Sequence, residues 1–279
     1  MTTSPDPDHT PLFDMDAPVP PPPVEQLLAL AGLYTQHNDQ IDLWRHGRAD
    51  LGTDAYAASA RYLERATYAC IKTVRKHRMP TVEPVSNAVV RLKQIAHLTS
   101  AAARYLTTAL PFLSDADAER PLPDHRRGFG QRVQLARELT SLAPVAIIES
   151  ATHIADGLPR HACSSSPSHG IDSVQYDLLF EVALGHVTVF EEIQYVRVHT
   201  TKAAPETLRE LELRRLVCRE PESAPPPYYG GEPFDRVRLT ALGIALVSAV
   251  ISCRTLIGPP AASPAVAPAP TPARPRAHR

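Results

Sequence analysis

The sequence predicts a mainly helical protein in two parts, with one small β-hairpin near its C-terminal end. Apolar residues recur at spacings of three and four through most of residues 24–160, which is the period of packed helices. A Ser- and Pro-containing stretch at 161–172 interrupts this pattern, and shorter helical and strand-like segments follow it up to residue 258. We therefore expect an N-terminal antiparallel helical bundle at 24–160, a linker at 161–172 and a second domain at 173–258.

The first three helices follow from apolar spacing and from residues that end helices. The first is expected to begin after the proline run that ends at Pro23 and to stop near Gly47. A second helix from Thr53 and a third that Pro111 ends carry heptad positions, and two such consecutive helices should pair antiparallel. These positions, called the heptad seam below, are Tyr56, Ala60, Leu63, Thr67, Cys70 and Val74, then Val85, Val89, Leu92, Ala96, Thr99, Ala103, Leu106 and Leu110.

A fourth helix is expected over residues 129–156, followed by Gly157 and Pro159. Pro144 falls inside it and predicts a kink or a break, because proline removes a backbone donor and crowds the preceding turn.

Both ends of the chain have the composition of solvated tails. Residues 1–23 are acidic and proline-rich, and residues 259–279 are Ala/Pro repeats that end in arginines. We expect neither a secretory signal nor a membrane span, since the most apolar stretch, residues 239–251, is too short to cross a bilayer. Cys70, Cys163, Cys218 and Cys253 are widely spaced, which is typical of reduced thiols and favours a cytoplasmic location.

The second domain is expected to contain three short helices, a hairpin and a last helix. Residues 173–185 predict the first helix, and Thr188 is expected to cap a second that contains Val189, Ile193 and Val196. Pro205 begins a third, which continues to Leu216. Strand-like residues 217–219 and 236–239 flank a turn-rich loop, and a helix follows over 241–257.

This region resembles the winged helix-turn-helix regulators of the MarR-like and PadR-like kind. The resemblance lies in Thr207-Leu208 and Leu211-Glu212 at the recognition-helix position, in Arg215-Leu216-Val217 before the wing, and in Val237-Arg238-Leu239-Thr240-Ala241-Leu242-Gly243 after it. It implies a winged helix-turn-helix fold and a DNA-binding transcriptional regulator. We expect a homodimer, formed by the bundle or by the last helix at 241–257, because that helix carries an apolar surface made of Leu242, Ala245, Leu246, Ala249 and Val250.

A helix with one packed face can place its opposite face in the major groove of double-stranded DNA. With Leu208 and Leu211 inward, the third helix would direct its polar side chains to the groove, and arginines would contact phosphates. The candidate DNA-binding residues are Thr200, Thr201, Lys202, Glu206, Thr207, Arg209, Glu210, Arg214, Arg236 and Arg238, with Arg215 as a further phosphate contact. The operator and any small-molecule effector are not specified by the sequence.

The charges also support an alternative, a helical adaptor whose winged helix binds protein. The chain has 29 Lys and Arg against 30 Asp and Glu, so its net charge of -1 gives no general attraction to nucleic acid. The loop at 220–235 carries Glu220, Glu222, Glu232 and Asp235, and this acidic wing suits a protein partner better than a phosphate backbone.

We expect neither an enzyme nor a cofactor, because the sequence contains no Gly-rich phosphate loop with lysine, no serine elbow and no dinucleotide fingerprint. His153, His161, Cys163 and His169 are close in sequence, but their spacing matches no familiar zinc pattern, and we expect no metal.

Overall fold

A computed structural model describes residues 21–47, 53–77, 83–109, 123–158, 170–190, 195–197, 204–226 and 228–254. This part of the chain is mainly helical, with a small antiparallel sheet near its C-terminal end. The described helices are α1 (Pro23–Arg45), α2 (Thr53–Lys76), α3 (Glu83–Ala109), α4 (Pro123–Ser141), α5 (Ala143–Gly157), α6 (Ser173–Ala183), α7 (Pro205–Leu213) and α8 (Ala241–Arg254). The strands are β1 (Thr188–Phe190), β2 (Tyr195–Arg197), β3 (Val217–Ala224) and β4 (Phe234–Leu239).

Helix α1 lies at the centre of the molecule. It contacts α2, α4 and α5 on one side and α6, α8 and β3 on the other. Leu27, Tyr34 and Ile41 are fully buried, and so are polar residues in its second half. Several of these polar groups bond to elements that pack on α1, since buried polar groups generally need partners.

The predicted heptad seam is buried between α2 and α3. Its described members in α2 and most of those in α3 are inaccessible to solvent, whereas Val89 is half-buried and Leu110 lies outside the described residues. The two helices run in opposite directions, since Arg61 early in α2 donates a 2.9 Å hydrogen bond to Thr107 near the end of α3. The two seam threonines lie next to a tyrosine of α1: the Tyr34 hydroxyl is 3.0 Å from Thr67 Oγ1 and 2.7 Å from Thr99 Oγ1.

The predicted break at Pro144 is confirmed. Helix α4 ends at Ser141 and α5 begins at Ala143, with Pro144 in its first turn. Proline has no N–H to donate to the carbonyl of Thr140 four residues earlier. The Asn38 side chain of α1 donates to that carbonyl instead, at 3.1 Å, and accepts from the Thr140 hydroxyl at 2.6 Å.

Helix α6 has the expected start and end. Asp172 and Gln175 form a capping box, in which each side chain accepts from the other residue's backbone N–H. Gly185 follows the helix with φ +75°, a conformation that favours glycine.

The predicted helix at Thr188 is wrong. Residues 188–190 form strand β1, which pairs antiparallel with β2 in the register Thr188↔Arg197, Val189↔Val196 and Phe190↔Tyr195. Both segments are rich in β-branched and aromatic side chains, which favour strands. The spacing of Val189 and Val196 predicts one helix that contains both, but the two residues are cross-strand partners.

The predicted hairpin, formed by β3 and β4, is therefore only part of the sheet. The described strands form one antiparallel sheet in the order β2-β1-β4-β3. Strand β3 extends to Ala224, well beyond the predicted residues 217–219, and an irregularity between Glu220 and Ala224 contains Glu222 at φ +51°. Helix α7 ends at Leu213 rather than at Leu216.

One hydrophobic core extends across both predicted domains. Its buried side chains come from α1, α2, α3 and α5 and also from α6, α7, α8 and the sheet. A smaller apolar cluster lies around Ile41 and Trp44, where Trp44 stacks on Tyr56 with ring centroids 4.6 Å apart. Residues 159–169, most of the predicted linker, lie outside the described residues.

His37 of α1 is a buried histidine with an incomplete set of hydrogen bonds. Its side chain is 1% exposed, Nδ1 lies 3.0 Å from Ser59 Oγ, and Nε2 has no partner among the described residues. Burial, with a smaller contribution from the positive charge of Arg137, lowers the pKa of His37 from 6.5 to about 4.

We expect the free energy of unfolding to fall as the pH is lowered from about 6.5 toward 4. The unfolded chain binds a proton at His37 in this range while the folded chain does not, so protons favour unfolding. The difference between 6.5 and about 4 corresponds to about 3 kcal/mol. Urea unfolding at about pH 7.5 and about pH 5 should show a smaller pH dependence for His37→Gln than for the wild type.

The same exchange at exposed His97 is the control and should leave the pH dependence unchanged. An equal pH dependence in His37→Gln and the wild type would contradict the assignment to His37.

Candidate functional site

Helix α7 has one buried edge and a polar exposed face. Leu208 and Leu211 are fully buried and belong to the shared core. Glu206, Arg209 and Glu210 are exposed, and Thr207 is half-buried. Strand β3 begins four residues after the helix ends, so the exposed face lies next to the β3–β4 hairpin.

Ion pairs compensate much of the charge on and beside α7. Arg214 donates to Glu210 Oε1 at 2.7 Å and to the carbonyl of Gly170 at 2.7 Å. Arg219 of β3 donates through two nitrogens to Glu212. Arg209 and Arg215 are exposed, and so is Arg219.

Arg236 of β4 points into the molecule. It is 8% exposed. Its Nη2 lies 2.5 Å from Asp39 Oδ1 and its Nε lies 2.9 Å from Asp39 Oδ2, a bidentate pair with α1. The third donor, Nη1, bonds to the carbonyl of Gly185 at 2.6 Å. All three donor nitrogens of this guanidinium thus bond within the protein.

Arg238 extends the same network. Alternate residues of a strand share a face, so Arg236 and Arg238 both point toward α1. Arg238 Nη2 lies 3.6 Å from Asp39 Oδ2, its Nε donates to Glu220, and its Nη1 donates to the carbonyl of Gly32 at 3.3 Å. The two arginines predicted as DNA contacts therefore attach the sheet to α1, and a phosphate contact would require them to leave Asp39.

Asp39 is the residue of this network that sequence reasoning missed. It is 5% exposed, and burial raises its pKa while the guanidiniums of Arg236 and Arg238 oppose that effect. The signal was an aspartate that stands between the apolar positions Tyr34 and Ile41 on the inward side of a helix. Its partners are too distant in sequence to be identified from the pattern.

The remaining predicted residues fall into two groups. Glu206, Thr207, Arg209 and Glu210 lie on α7, and Arg214 directly follows its last residue, Leu213. Thr200, Thr201 and Lys202 lie outside the described residues.

The hairpin ends in two exposed aromatic side chains. Tyr228 is 68% exposed and Tyr229 is 83% exposed, and the ring of Tyr229 lies 5.8 Å from that of His46 just after α1. The acidic residues Glu222 and Glu232 are exposed nearby.

Comparison of the chain with family models, curated proteins and solved structures gives no significant match. No helix in the described ranges is both long and apolar enough to cross a membrane. Those ranges also contain no group of three or more His, Cys, Asp or Glu side chains arranged to hold a metal ion. Of the four metal candidates considered above, only His153 is described.

We expect Asp39→Ala to reduce the free energy of unfolding by about 3–5 kcal/mol, because it leaves the Arg236 guanidinium buried without its counter-charge. Chemical denaturation followed by circular dichroism measures this loss. Arg91→Ala breaks an exposed pair with Glu149, whose side chains are 39% and 55% exposed, and should cost less than about 1 kcal/mol. Similar small losses of unfolding free energy in both variants would show that the Asp39–Arg236 pair stabilises the fold no more than an exposed ion pair does.

Proposed function

We propose that this chain is a DNA-binding transcriptional regulator in which α7 enters the major groove. The observation that carries the proposal is the presentation of α7. Leu208 and Leu211 pack inward, Glu206, Arg209 and Glu210 face solvent, and an antiparallel hairpin follows after a short turn. A helix held in this way can approach base edges with its outer face while a hairpin contacts the backbone beside it.

The packing of α7 against a second helix and a small sheet supports the proposal. Helix α7 packs on α6, and β1 and β3 flank β4, so a helix pair stands against a small sheet. Strands β1 and β2 stand where the middle helix of a helix-turn-helix was expected. The proposal therefore rests on α7 and the hairpin rather than on a complete helix-turn-helix.

The proposal includes fewer candidate DNA-contact residues than the sequence predicts. Arg209, Arg214 and Arg215 supply positive charge at the exposed face, and Glu206, Thr207 and Glu210 supply groups that can bond to base edges. Thr200, Thr201 and Lys202 precede the helix and remain candidates. Arg236 and Arg238 are excluded because Asp39 holds them inside.

The second candidate function is a protein-binding adaptor. Two observations favour it: the Glu210–Arg214 and Glu212–Arg219 pairs reduce the positive charge around α7, and the hairpin presents Tyr228 and Tyr229 among acidic residues. Exposed tyrosines are common at protein interfaces.

Selection from random double-stranded DNA, followed by titration at about 50 and about 200 mM salt, tests the regulator proposal. We expect a sequence preference and an affinity that falls steeply with salt. Replacing Arg209 and Arg214 together by alanine removes two positive charges, so the slope of log K against log salt should fall by about 2.

The control is Arg75→Ala with Lys76→Ala, which removes two exposed positive charges at the far end of α2. It should leave binding unchanged. If only this control loses binding, the interface lies on α2 and not on α7. If the wild type shows no sequence preference at either salt concentration, the adaptor is favoured and the regulator proposal fails.

We further propose a homodimer formed through α8. Leu242 is 56% exposed and Ala249 is also exposed, whereas Leu246 is 6% exposed and packs in the core. We expect light scattering after size exclusion to show a dimer for the wild type and a monomer for Leu242→Glu, because the carboxylate would be desolvated at the interface. Leu213→Glu, at a residue that is 83% exposed on α7, is the control and should remain dimeric. A monomeric wild type would refute the dimer.

A further inference from the structure

A cavity of about 260 Å³ lies between α1 and the C-terminal elements. Leu28, Gly32 and Leu33 of α1 form one wall, and Val182, Leu239 and Ile244 form the other. The walls therefore belong to α1 on one side and to α6, β4 and α8 on the other. A molecule in this space would contact both parts of the protein at the place where they pack together.

Gly32 is the residue that keeps this cavity open. It lies in the interior of α1, where glycine destabilises a helix by about 1 kcal/mol relative to alanine. A Cβ atom built on Gly32 meets no atom within 4 Å, and its backbone is not in the left-handed region. Neither close packing nor backbone conformation requires a glycine at this position.

At two other glycines, unlike Gly32, a Cβ atom would clash with neighbouring atoms. A Cβ atom on Gly185 would lie 2.6 Å from Thr35, and one on Gly243 would lie 2.1 Å from the carbonyl oxygen of Leu216. Those two glycines are required by the close approach of neighbouring elements. The effect of the glycine at position 32 is to leave space inside the protein that a side chain would fill.

The chemistry of the walls indicates what the cavity can hold. They are mainly apolar, and the polar groups among them are Thr35, Gln36 and Arg238. Thr35 donates to the carbonyl of Ala31 at 3.2 Å, and the charge of Arg238 is balanced by Glu220 and Asp39. A charged molecule would find no uncompensated counter-charge here and would lose its hydration.

The cavity adjoins a second apolar space. A wider groove of about 590 Å³ between α1, α2 and the start of α8 shares Ala29, Leu33 and Ile244 with it. Tyr62, which is 53% exposed, lines the outer part of this groove. Binding sites for small molecules commonly combine such volumes with apolar walls and few polar groups.

We infer that this cavity is a binding site for a neutral, mainly apolar small molecule. The ligand lies over Gly32, with its apolar body against Leu28, Val182 and Ile244. This inference does not depend on the DNA-binding proposal, because it concerns a different surface and a different ligand.

The test uses N-phenyl-naphthylamine, a neutral apolar dye whose fluorescence rises in an apolar site, added to the full chain. We expect saturable binding to the wild type. Gly32→Leu places a side chain in the cavity and should weaken binding by at least about tenfold. Gly130→Leu is the matched control, since Gly130 is also a helical glycine with nothing within 4 Å, and it is an exposed residue of α4 that does not line the cavity. Binding to this control should equal that of the wild type.

The inference is overturned if the wild type shows no saturable binding, or if Gly32→Leu binds as well as the wild type. Binding that appears only after residues 1–20 are deleted would also overturn it, because the chain itself would then occupy the groove. If circular dichroism shows that Gly32→Leu does not fold, Ile244→Phe on the opposite wall replaces it, with the same expected loss and the same contrary result.

Discussion

The bidentate pair between Asp39 and Arg236 connects the two halves of this protein. A carboxylate in the middle of a buried helix has a large cost of desolvation, and only close, well-oriented partners offset it. Asp39 finds them in two arginines of β4, and Arg236 completes its own hydrogen bonds at the carbonyl of Gly185. The pair thereby fixes which residues of the sheet face α1. A slip of β4 by one residue would replace Arg236 by Asp235 or Val237 opposite Asp39, and neither can compensate the charge.

The position of α7 depends on this docking. Strand β3 follows α7 after a short turn and pairs with β4 from Val217↔Leu239 onward, so the attachment of β4 to α1 also orients α7. Arg238 joins the same network to the cavity, because it bonds to the carbonyl of Gly32 on the cavity wall and to Glu220 of β3. The charged network around Asp39 therefore contacts the cavity wall on one side. On the other side it contacts β3, the strand that follows α7.

The parts of the fold that could be predicted are those set by local rules. Repeated steps of three and four located α2 and α3 and their buried residues, and Pro144 located the break between α4 and α5. The short apolar runs around Val189 and Val196 fit a helix or two strands equally well at this length. In the fold they pair with each other, and β1 also pairs with β4. The role of Arg236 could not be predicted, because its partner lies 197 residues away and a basic residue in a wing is equally compatible with phosphate binding. The candidate residues on α7 could be placed because two leucines define the buried side of a short helix.

The sequence run that carried the resemblance to winged helix regulators has a structural explanation in this chain. The Thr240 hydroxyl donates to the carbonyl of Arg215 at 2.6 Å and accepts from the N–H of Gly243 at 3.2 Å, so it caps α8 and joins it to the end of α7. Gly243 is required because a Cβ atom there would meet the carbonyl oxygen of Leu216. Arg238 is held by Asp39 and Glu220. Packing alone accounts for these three residues, and a protein with any function could use them in this way. That run therefore serves to hold the hairpin against two helices. The polar side chains on the outer face of α7 do not belong to it, although Arg214 beside them also bonds to the carbonyl of Gly170 and so helps to hold this region together.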